Sequence, residues 1–169
     1  MVTIREIAPS SFDERALLEL LRDAVADGAS VGYLAPLPDV DGRAFWRAVK
    51  GALADGRVLL AAYIADRLVG AVQLDPVAKP NGRHRAEVQK LLVLREFRGR
   101  GIAKALMAAV ERKAAELDRW LLVLDTVPGQ PAEKLYERLG YRRAGVVPDY
   151  AEKSGGGFEP TVIFYKRLI

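Results

Sequence analysis

The sequence predicts an α/β fold, in which helices pack on a mixed sheet to form a sandwich. Short runs rich in valine, leucine and isoleucine alternate with segments whose apolar residues recur at helical spacing. The resulting order, β-α-α-β-β-β-α-β-α-β-β, is typical of such a sandwich. No internal repeat, linker or low-complexity segment interrupts the 169 residues, so we predict one domain over residues 1–169.

The N-terminal half is predicted to contain three strands and two helices. In order, these are a strand at 2–7, helices at 11–28 and 42–54, and strands at 58–65 and 68–74. Ser11 and Glu14 form a capping-box pattern at the start of the first helix, and Gly28 ends it. The last two strands are close in sequence, so we place a tight turn at Asp66 and Arg67.

The C-terminal half is predicted to contain four strands and two helices. In order, these are a strand at 86–94, a helix at 101–117, a strand at 120–124, a helix at 132–139, and strands at 141–147 and 161–167. Gly140 ends the shorter helix, and a glycine-rich loop at 154–157 precedes the last strand.

The residue inventory excludes several classes of chemistry. The chain contains no cysteine and one histidine, His84, so thiolate nucleophiles, iron–sulfur clusters and multi-histidine metal sites are not expected. Half of the residues are hydrophobic and 28% are charged, as in an ordinary globular protein. No apolar run reaches the roughly 18 residues of a membrane helix, and charges occupy the N-terminal segment. We therefore expect a cytoplasmic protein without a membrane partner.

Basic residues cluster in one part of the chain, which has a net charge of +4 and a pI near 9.4. The cluster comprises Lys79, Arg83, His84, Arg85, Lys90, Arg95, Arg98, Arg100 and Lys104. Such a cluster is either a solvated basic face or an anion-binding site. Phe97 is the single aromatic residue within it, so base stacking and hence a nucleic-acid partner are disfavoured.

The loop before the long helix has the composition of a phosphate-binding site. Small residues there leave backbone N–H groups uncovered at a helix N-terminus, where the helix dipole favours anions. The chain has no P-loop string, and Lys104 stands where a dinucleotide fingerprint needs a third small residue. The pattern that does fit is [RQ]-x-x-G-x-[GA], with Arg98, Gly101 and Ala103.

Two segments resemble the GCN5-related N-acetyltransferase (GNAT) superfamily. VQKLLVLREFRGRGIAKALMAAVE is similar to its acetyl-CoA-binding motif, and PAEKLYERLGYRRAG is similar to the motif that follows. The strings GASVGYLAPL, HRAEVQKLLV, LVLDTVPG and VPDYA resemble tabtoxin-resistance-type acetyltransferases more narrowly. The resemblance implies a three-layer sandwich with a mixed, mostly antiparallel sheet flanked by helices. Gly129 replaces the usual asparagine of the second motif, which puts cofactor affinity in question.

The resemblance also implies how acetyl-CoA is bound. The strand at 91–93 would splay from its neighbour and offer backbone groups to the pantetheine and the thioester oxygen, while the glycine loop would hold the pyrophosphate. The cofactor-binding residues implied in this way are Leu91, Leu92, Val93, Arg98, Gly99, Arg100, Gly101, Ile102, Ala103 and Lys104. No metal is implied, and the protein is expected to be a monomer or a homodimer.

Acyl transfer to an amine needs a base for the amine and an acid for the departing thiolate. Tyr136 matches the superfamily tyrosine that protonates the thiolate, although a core tyrosine on an amphipathic helix is the alternative. For the base we rank Glu87 first and Asp125 second, with His84 weighed behind them. An exposed carboxylate paired with a neighbouring cation is the alternative for Glu87.

Strand alternation predicts the face on which these groups lie. Glu87 and Gln89 should share one face of their strand, opposite Val88, Lys90 and Leu92, if no bulge shifts the register.

The loop between the first two helices is the expected substrate-binding segment. The substrate-binding candidates are Ser30, Val31, Tyr33, Glu87, Asp125 and Tyr150. The substrate is predicted to be a small amine, with an amino-acid-like compound such as tabtoxinine-β-lactam as the specific candidate and toxin resistance as the role. Protein or peptide amines and a non-catalytic acetyl-CoA-binding module are the alternatives.

A rival motif suggests a different reaction class. GASVG around Ser30 matches the nucleophile elbow of serine hydrolases. The elbow needs a buried strand before the serine, whereas the sequence predicts a helix there.

Overall fold

The computed structural model describes residues 1–168, in which the predicted order of strands and helices is confirmed. The elements are β1 (Thr3–Glu6), α1 (Glu14–Ala26), α2 (Asp39–Ala52), β2 (Val58–Ile64), β3 (Arg67–Pro76), β4 (Arg85–Val93), α3 (Ile102–Glu116), β5 (Leu121–Thr126), α4 (Pro131–Arg138), β6 (Arg142–Glu152) and β7 (Phe158–Arg167). Short 3₁₀ turns lie at Pro9–Ser11, Leu53–Asp55, Pro80–Gly82 and Arg95–Phe97.

All seven strands join one sheet in the order β1-β2-β3-β4-β5-β7-β6. Neighbouring strands are antiparallel, except that β4 and β5 are parallel. A parallel pair needs a crossover connection, and α3 supplies it between β4 and β5. The sheet is therefore mixed, as the order of elements predicts, and mostly antiparallel, as the resemblance implies.

Two hydrophobic clusters cover the two faces of the sheet. Residues of α1 and α2 form one cluster, in which Leu17, Leu21 and Trp46 are fully buried. Residues of α3 and α4 form the other, which includes Leu106 and Tyr136. The molecule thus has three layers, with helices on both faces of the sheet.

Strand β2 has a continuous apolar sequence because both of its faces are covered. Val58, Leu60 and Ala62 belong to the α3 and α4 cluster, whereas Leu59 and Ala61 belong to the α1 and α2 cluster. Because successive side chains point to opposite faces, a strand covered on both sides is apolar at every position.

Two local expectations are wrong. Asp13, rather than Ser11, caps α1, because the Asp13 Oδ1 accepts a hydrogen bond from the Ala16 N–H at 3.0 Å. Ser11 instead closes the preceding 3₁₀ turn through hydrogen bonds with Ala8. The hairpin between β2 and β3 turns at Ala65 and Asp66, whose φ angles are +46° and +64°. Positive φ at both central residues is what the right-handed twist of a two-residue hairpin requires.

Other boundaries move outward from the expected positions. Helix α2 begins at Asp39, three residues before the expected Gly42, and Asp39 and Asp41 place negative charge in its first turn. Such charge stabilises a helix N-terminus. The hairpin of β6 and β7 is also longer than predicted, since β6 continues to Glu152 and β7 begins at Phe158.

Candidate active site

A wedge-shaped opening between β4 and β5 is the centre of the candidate site. The two parallel strands pair only through Arg85–Glu87 and Leu121–Val123. Both strands continue, to Val93 and Thr126, but no backbone ladder joins them there among the described residues. The backbone N–H and C=O groups of the later β4 residues are therefore directed into the opening. A ligand there could form hydrogen bonds with them.

A β-bulge in β4 changes which side chains reach the site. The φ of Lys90 is +50°, and the register with β3 shifts between Ala71 and Gln73. The extra residue turns Leu92 into the α1 and α2 cluster, onto the face of β4 that carries Glu87. The expectation that Lys90 and Leu92 lie opposite Glu87 is therefore wrong.

The first turn of α3 lies beside the opening and is free to bind an anion. Gly99 and Gly101 have φ angles of +73° and +77°, and a Cβ placed on either would meet no atom within 4 Å. Gly101 is the N-cap, and no side chain caps the helix. The first N–H groups of α3 therefore lack intrahelical partners, as at any helix start. Lys104 is exposed in this turn and adds positive charge.

The guanidinium groups of the neighbouring Arg98 and Arg100 already form hydrogen bonds within the protein. The Arg98 guanidinium donates to the Val93 carbonyl at 3.1 Å and to the Asp27 carboxylate at 2.5 Å. Arg100 donates to the Glu96 carbonyl at 3.1 Å, and its guanidinium lies 5.1 Å from the ring of Phe97. Arg98 thus joins the end of β4 to the end of α1. The open part of the predicted anion site is the backbone of α3 and Lys104.

Tyr136 lies on α4, on the α3 side of the sheet. Its ring is buried, with centroids 5.8 Å from Tyr141 and 6.2 Å from Phe164. Burial, followed by the negative charge of Asp125, raises the pKa of the Tyr136 phenol well above its usual range. The group is therefore neutral at physiological pH and can donate a proton. It is a core residue and also a candidate acid.

Two carboxylates face the opening from the opposite side of the sheet. Glu87 accepts a hydrogen bond from Gln89 Nε2 at 3.0 Å, and Asp125 accepts one from Thr161 Oγ1 at 2.8 Å. Neither forms an ion pair with another side chain of residues 1–168. Val123 pairs with Glu87, and Asp125 follows two residues later, so their Cα atoms are about 8 Å apart from strand geometry. Asp125 is also the carboxylate whose charge acts on Tyr136.

The loop between α1 and α2 closes one side of this face. Ser30 and Tyr33 line a pocket of about 420 Å³ between this loop and the hairpin of β6 and β7. Ser154 contributes to the hairpin side, where its Oγ accepts a hydrogen bond from the Ala35 N–H at 2.8 Å. The Tyr33 ring packs edge-on against Phe45 of α2, at 5.9 Å.

The other predicted site residues are placed differently. Val31 packs against the α1 and α2 cluster, and Tyr150 is 58% exposed; neither lines this pocket. His84 precedes β4, at the far end of the strand from the bulge, where its ring lies 4.8 Å from Trp120. Ser30 follows helix α1 rather than a strand, so the serine-hydrolase elbow is excluded.

Gly129 occupies the position of the missing asparagine without crowding the opening. Its φ is +80°, and a Cβ there would meet no atom within 4 Å. Its N–H donates to the Glu133 carboxylate at 2.6 Å, so that carboxylate holds the turn before α4.

Sequence reasoning missed a set of polar side chains next to the bulge. The Arg57 guanidinium donates to Asp75 Oδ2 at 2.5 Å and to Gln73 Oε1 at 3.4 Å. Gln73 is fully buried, and Thr161, the partner of Asp125, is also buried. The available signal was Gln73, a glutamine that directly follows the apolar run of β3.

The described residues contain neither a metal-site cluster nor a helix suited to span a membrane. No cluster of acidic and histidine side chains in residues 1–168 has the arrangement of a metal site. None of the helices in that range has both the length and the apolarity that a bilayer span requires.

Comparison with known proteins identifies the class. The model of the acetyltransferase (GNAT) family matches residues 16–141. The chain therefore belongs to this family, and it is an N-acetyltransferase that uses acetyl-CoA. The free N-terminus of α3 and the opening between β4 and β5 are compatible with that donor.

Individual relatives share the fold over nearly the whole chain. Ribosomal-protein-alanine N-acetyltransferase of Brucella melitensis is 25% identical with a TM-score of 0.82, over 98% of this chain and 99% of its own. A candidate acetyltransferase of Salmonella typhimurium, solved with its cofactor acetyl-CoA, is 18% identical with a TM-score of 0.82, over 100% and 95%. A candidate phosphinothricin N-acetyltransferase is 20% identical with a TM-score of 0.81, over 100% and 99%.

A curated relative is similar over a shorter region. N-acetylaspartate synthetase of Danio rerio is 43% identical over 65 residues, which are 38% of this chain. The match spans 23% of that protein's length, about a quarter.

Proposed function

We propose that this N-acetyltransferase acetylates the amine of a small, amino-acid-like molecule by direct attack in a ternary complex. The observation that carries the proposal is the pair of carboxylates, Glu87 and Asp125, beside the opening between β4 and β5. Both lack an ion-pair partner among residues 1–168, and they can hold a cationic amine and accept its proton.

The donor side of the site is proposed to follow the family pattern. Acetyl-CoA supplies an activated acetyl group as a thioester. The backbone N–H groups of the α3 first turn, from Gly101 onward, and the side chain of Lys104 would hold its phosphates. The backbone of Leu91, Leu92 and Val93, left without β5 partners, would bind the pantetheine and the thioester oxygen.

The proton transfers are assigned to residues on the two sides of the sheet. Tyr136 holds a proton on its phenol, because burial raises its pKa, and it is proposed to give that proton to the leaving sulfur. Asp125 is proposed as the base ahead of Glu87, reversing the order expected from the sequence, because Asp125 lies beyond the last β4–β5 pair, where the strands have separated, whereas Glu87 is still in that pair. Thr161 donates to one Asp125 oxygen and leaves the other available.

The size of the acceptor is inferred from the walls of the pocket. The loop carrying Ser30 and Tyr33 meets the hairpin carrying Ser154, so the pocket of about 420 Å³ has walls on both sides. That volume lies in the lower part of the range of small-molecule sites, roughly 300–1,000 Å³. The similarity to N-acetylaspartate synthetase and to a candidate phosphinothricin N-acetyltransferase supports an amino-acid-like acceptor. In its most specific form, the proposal names tabtoxinine-β-lactam as the acceptor and toxin resistance as the role of the enzyme.

A protein amine is the second candidate acceptor. The similarity to ribosomal-protein-alanine N-acetyltransferase, at 25% identity, favours it. A peptide with an N-terminal alanine would place its amine in the same opening. The rest of the peptide would extend past the hairpin of β6 and β7.

The test is a steady-state survey of thiol release from acetyl-CoA. The acceptors are L-aspartate, phosphinothricin, tabtoxinine-β-lactam, several neutral amino acids and an alanine-terminated peptide. We expect a higher kcat/KM with a small amino acid than with the peptide, and intersecting double-reciprocal lines. Parallel lines would contradict direct transfer, because they indicate an acyl-enzyme. A clear preference for the peptide would replace the small-molecule proposal. Acetyl-CoA binding without release of CoA thiol in the presence of any acceptor would indicate a non-catalytic module.

A further inference from the structure

Lys90 occupies an unusual position for a lysine. It lies at the bulge of β4 with a φ of +50°, in the left-handed region. Its Nζ lies 6.0 Å from the ring centroid of Phe45 and 3.8 Å from the place where a Cβ on Gly32 would be. The ammonium group therefore lies beneath the loop that joins α1 to α2, next to Gly32.

This ammonium group has no charged partner of its own. Among residues 1–168, no carboxylate lies within ion-pair distance of Lys90, whereas the neighbouring Arg57 is paired with Asp75 at 2.5 Å. Burial lowers the pKa of Lys90, with a further lowering by Arg57 and an opposing contribution from Asp125. A half-buried cation without a partner destabilises the folded protein. A bound anion would pair with the ammonium group and offset that destabilisation.

We propose that Lys90 binds the carboxylate of the acceptor, so that the acceptors of this enzyme are amino acids rather than simple amines. This inference rests on the function proposed above and specifies its substrate class. A zwitterion matches the charges on this face of the sheet, where Lys90, Glu87 and Asp125 each form no ion pair with another side chain of residues 1–168. The acceptor's carboxylate would meet Lys90, and its amine would meet the carboxylate that removes the proton.

The donor phosphates do not compete for this lysine in the proposed arrangement. They are assigned to the N-terminus of α3 and Lys104, which follow β4 in the chain, whereas Lys90 faces the loop of Gly32. The anion that reaches Lys90 is therefore one carried by the acceptor. A carboxylate is the anionic group that an amino-acid acceptor always supplies.

The test compares Lys90→Met and Lys90→Arg with wild-type enzyme on matched acceptors. The acceptors are L-aspartate, L-glutamate and L-alanine, each paired with its α-carboxamide, which keeps the amine and removes the α-charge. A hydrogen bond to a charged group contributes about 1.5–3 kcal/mol. We therefore expect Lys90→Met to raise the KM of the preferred amino acid about 10- to 150-fold. Its effect on the corresponding amide should stay within about threefold.

The two variants separate binding from proton transfer. Lys90→Arg keeps the charge but cannot act as a base at neutral pH, so it should retain most of the preference for the amino acid over its amide. Loss of kcat in both variants, with KM unchanged, would overturn the proposal and make Lys90 a base. Lys50→Met is the matched control, since the exposed Lys50 of α2 also lies over an aromatic ring, 5.7 Å from that of Phe12.

Binding measurements distinguish failure of this inference from failure of the proposed function. Amino-acid titrations of the CoA-saturated protein report acceptor affinity without turnover. They should show the same loss for Lys90→Met, while the affinity for CoA is unchanged. Equal amino-acid affinity in wild type and Lys90→Met would overturn the inference and leave the proposed function intact. Absence of acetyl-CoA turnover with every acceptor would overturn the proposed function itself.

Discussion

Replacing Tyr136 by phenylalanine separates the packing of its ring in the core from its proposed role as a proton donor. The ring packs against Tyr141 and Phe164 in the core, whereas the hydroxyl is the proposed proton donor. Tyr136→Phe keeps the ring and removes only the hydroxyl. The variant therefore tests catalysis with little change in packing.

The expected magnitudes follow from these surroundings. The Tyr136 hydroxyl makes no hydrogen bond within residues 1–168, so its loss should change the free energy of unfolding by less than about 1 kcal/mol. General acid catalysis contributes about 10²- to 10⁴-fold, so kcat should fall by at least 100-fold. Acetyl-CoA affinity should not change. Because the pKa of the phenol is raised above its ordinary value of 10.0, ionisation of Tyr136 should not lower the wild-type kcat as pH rises to 10.

The assay measures thiol release under saturating acetyl-CoA, together with thermal unfolding of each variant. Tyr141→Phe is the matched control, because Tyr141 is a buried tyrosine of the same cluster with its ring 5.8 Å from that of Tyr136. The Tyr141 hydroxyl lies beside Glu111 rather than at the opening, so this control should keep its kcat. A Tyr136→Phe enzyme with wild-type kcat would refute the assignment of Tyr136 as the acid.

Further substitutions test the acceptor side and the core. Asp125→Asn should lower kcat by about 10²- to 10⁴-fold while leaving acetyl-CoA affinity unchanged, and initial rates should show a smaller effect for Glu87→Gln. Equal losses of kcat in the two variants would contradict the assignment of Asp125, rather than Glu87, as the base. Trp46→Ala should destabilise the fold by about 3–5 kcal/mol, because Trp46 is fully buried in the α1 and α2 cluster. A denaturant midpoint close to that of wild type would contradict this account of the core.

The order and type of the elements could be predicted because hydrophobic periodicity is a local property of the sequence. The run at β2 and the helical spacing along α3 each reflect which faces are buried. Boundaries were less accurate where turn geometry competes with propensity. Asp13 and Ser11 are both good cap residues, and only the backbone path decides which one caps α1.

The sequence could predict only those parts of the site that are formed by residues close together in the chain. The bulge at Lys90 adds a residue that alternation cannot reveal, because a period-two pattern assigns side chains to faces only while the strand stays regular. The ion pair of Arg98 with Asp27 joins residues that are far apart in the chain, so the spacing of motifs does not predict it. The contact of Ser154 with Ala35, which helps to close the pocket, is also long-range.

The central claim is that acetyl-CoA binds at the N-terminus of α3, and Gly101→Val tests it most directly. A matched control is Gly56→Val, because Gly56 has a φ of +97° and Gly101 one of +77°, and a Cβ on either meets no atom within 4 Å. Both variants therefore bear similar backbone strain, but only one would cover the anion site.

The measurement is thermal unfolding of both variants and wild type with and without acetyl-CoA at about 100 times the wild-type dissociation constant. Such an excess adds about 2.7 kcal/mol of stability, which should raise the midpoint by roughly 5–10 °C at this chain length. Wild type and Gly56→Val should show this shift, and Gly101→Val should show none. A full shift in Gly101→Val would contradict the claim.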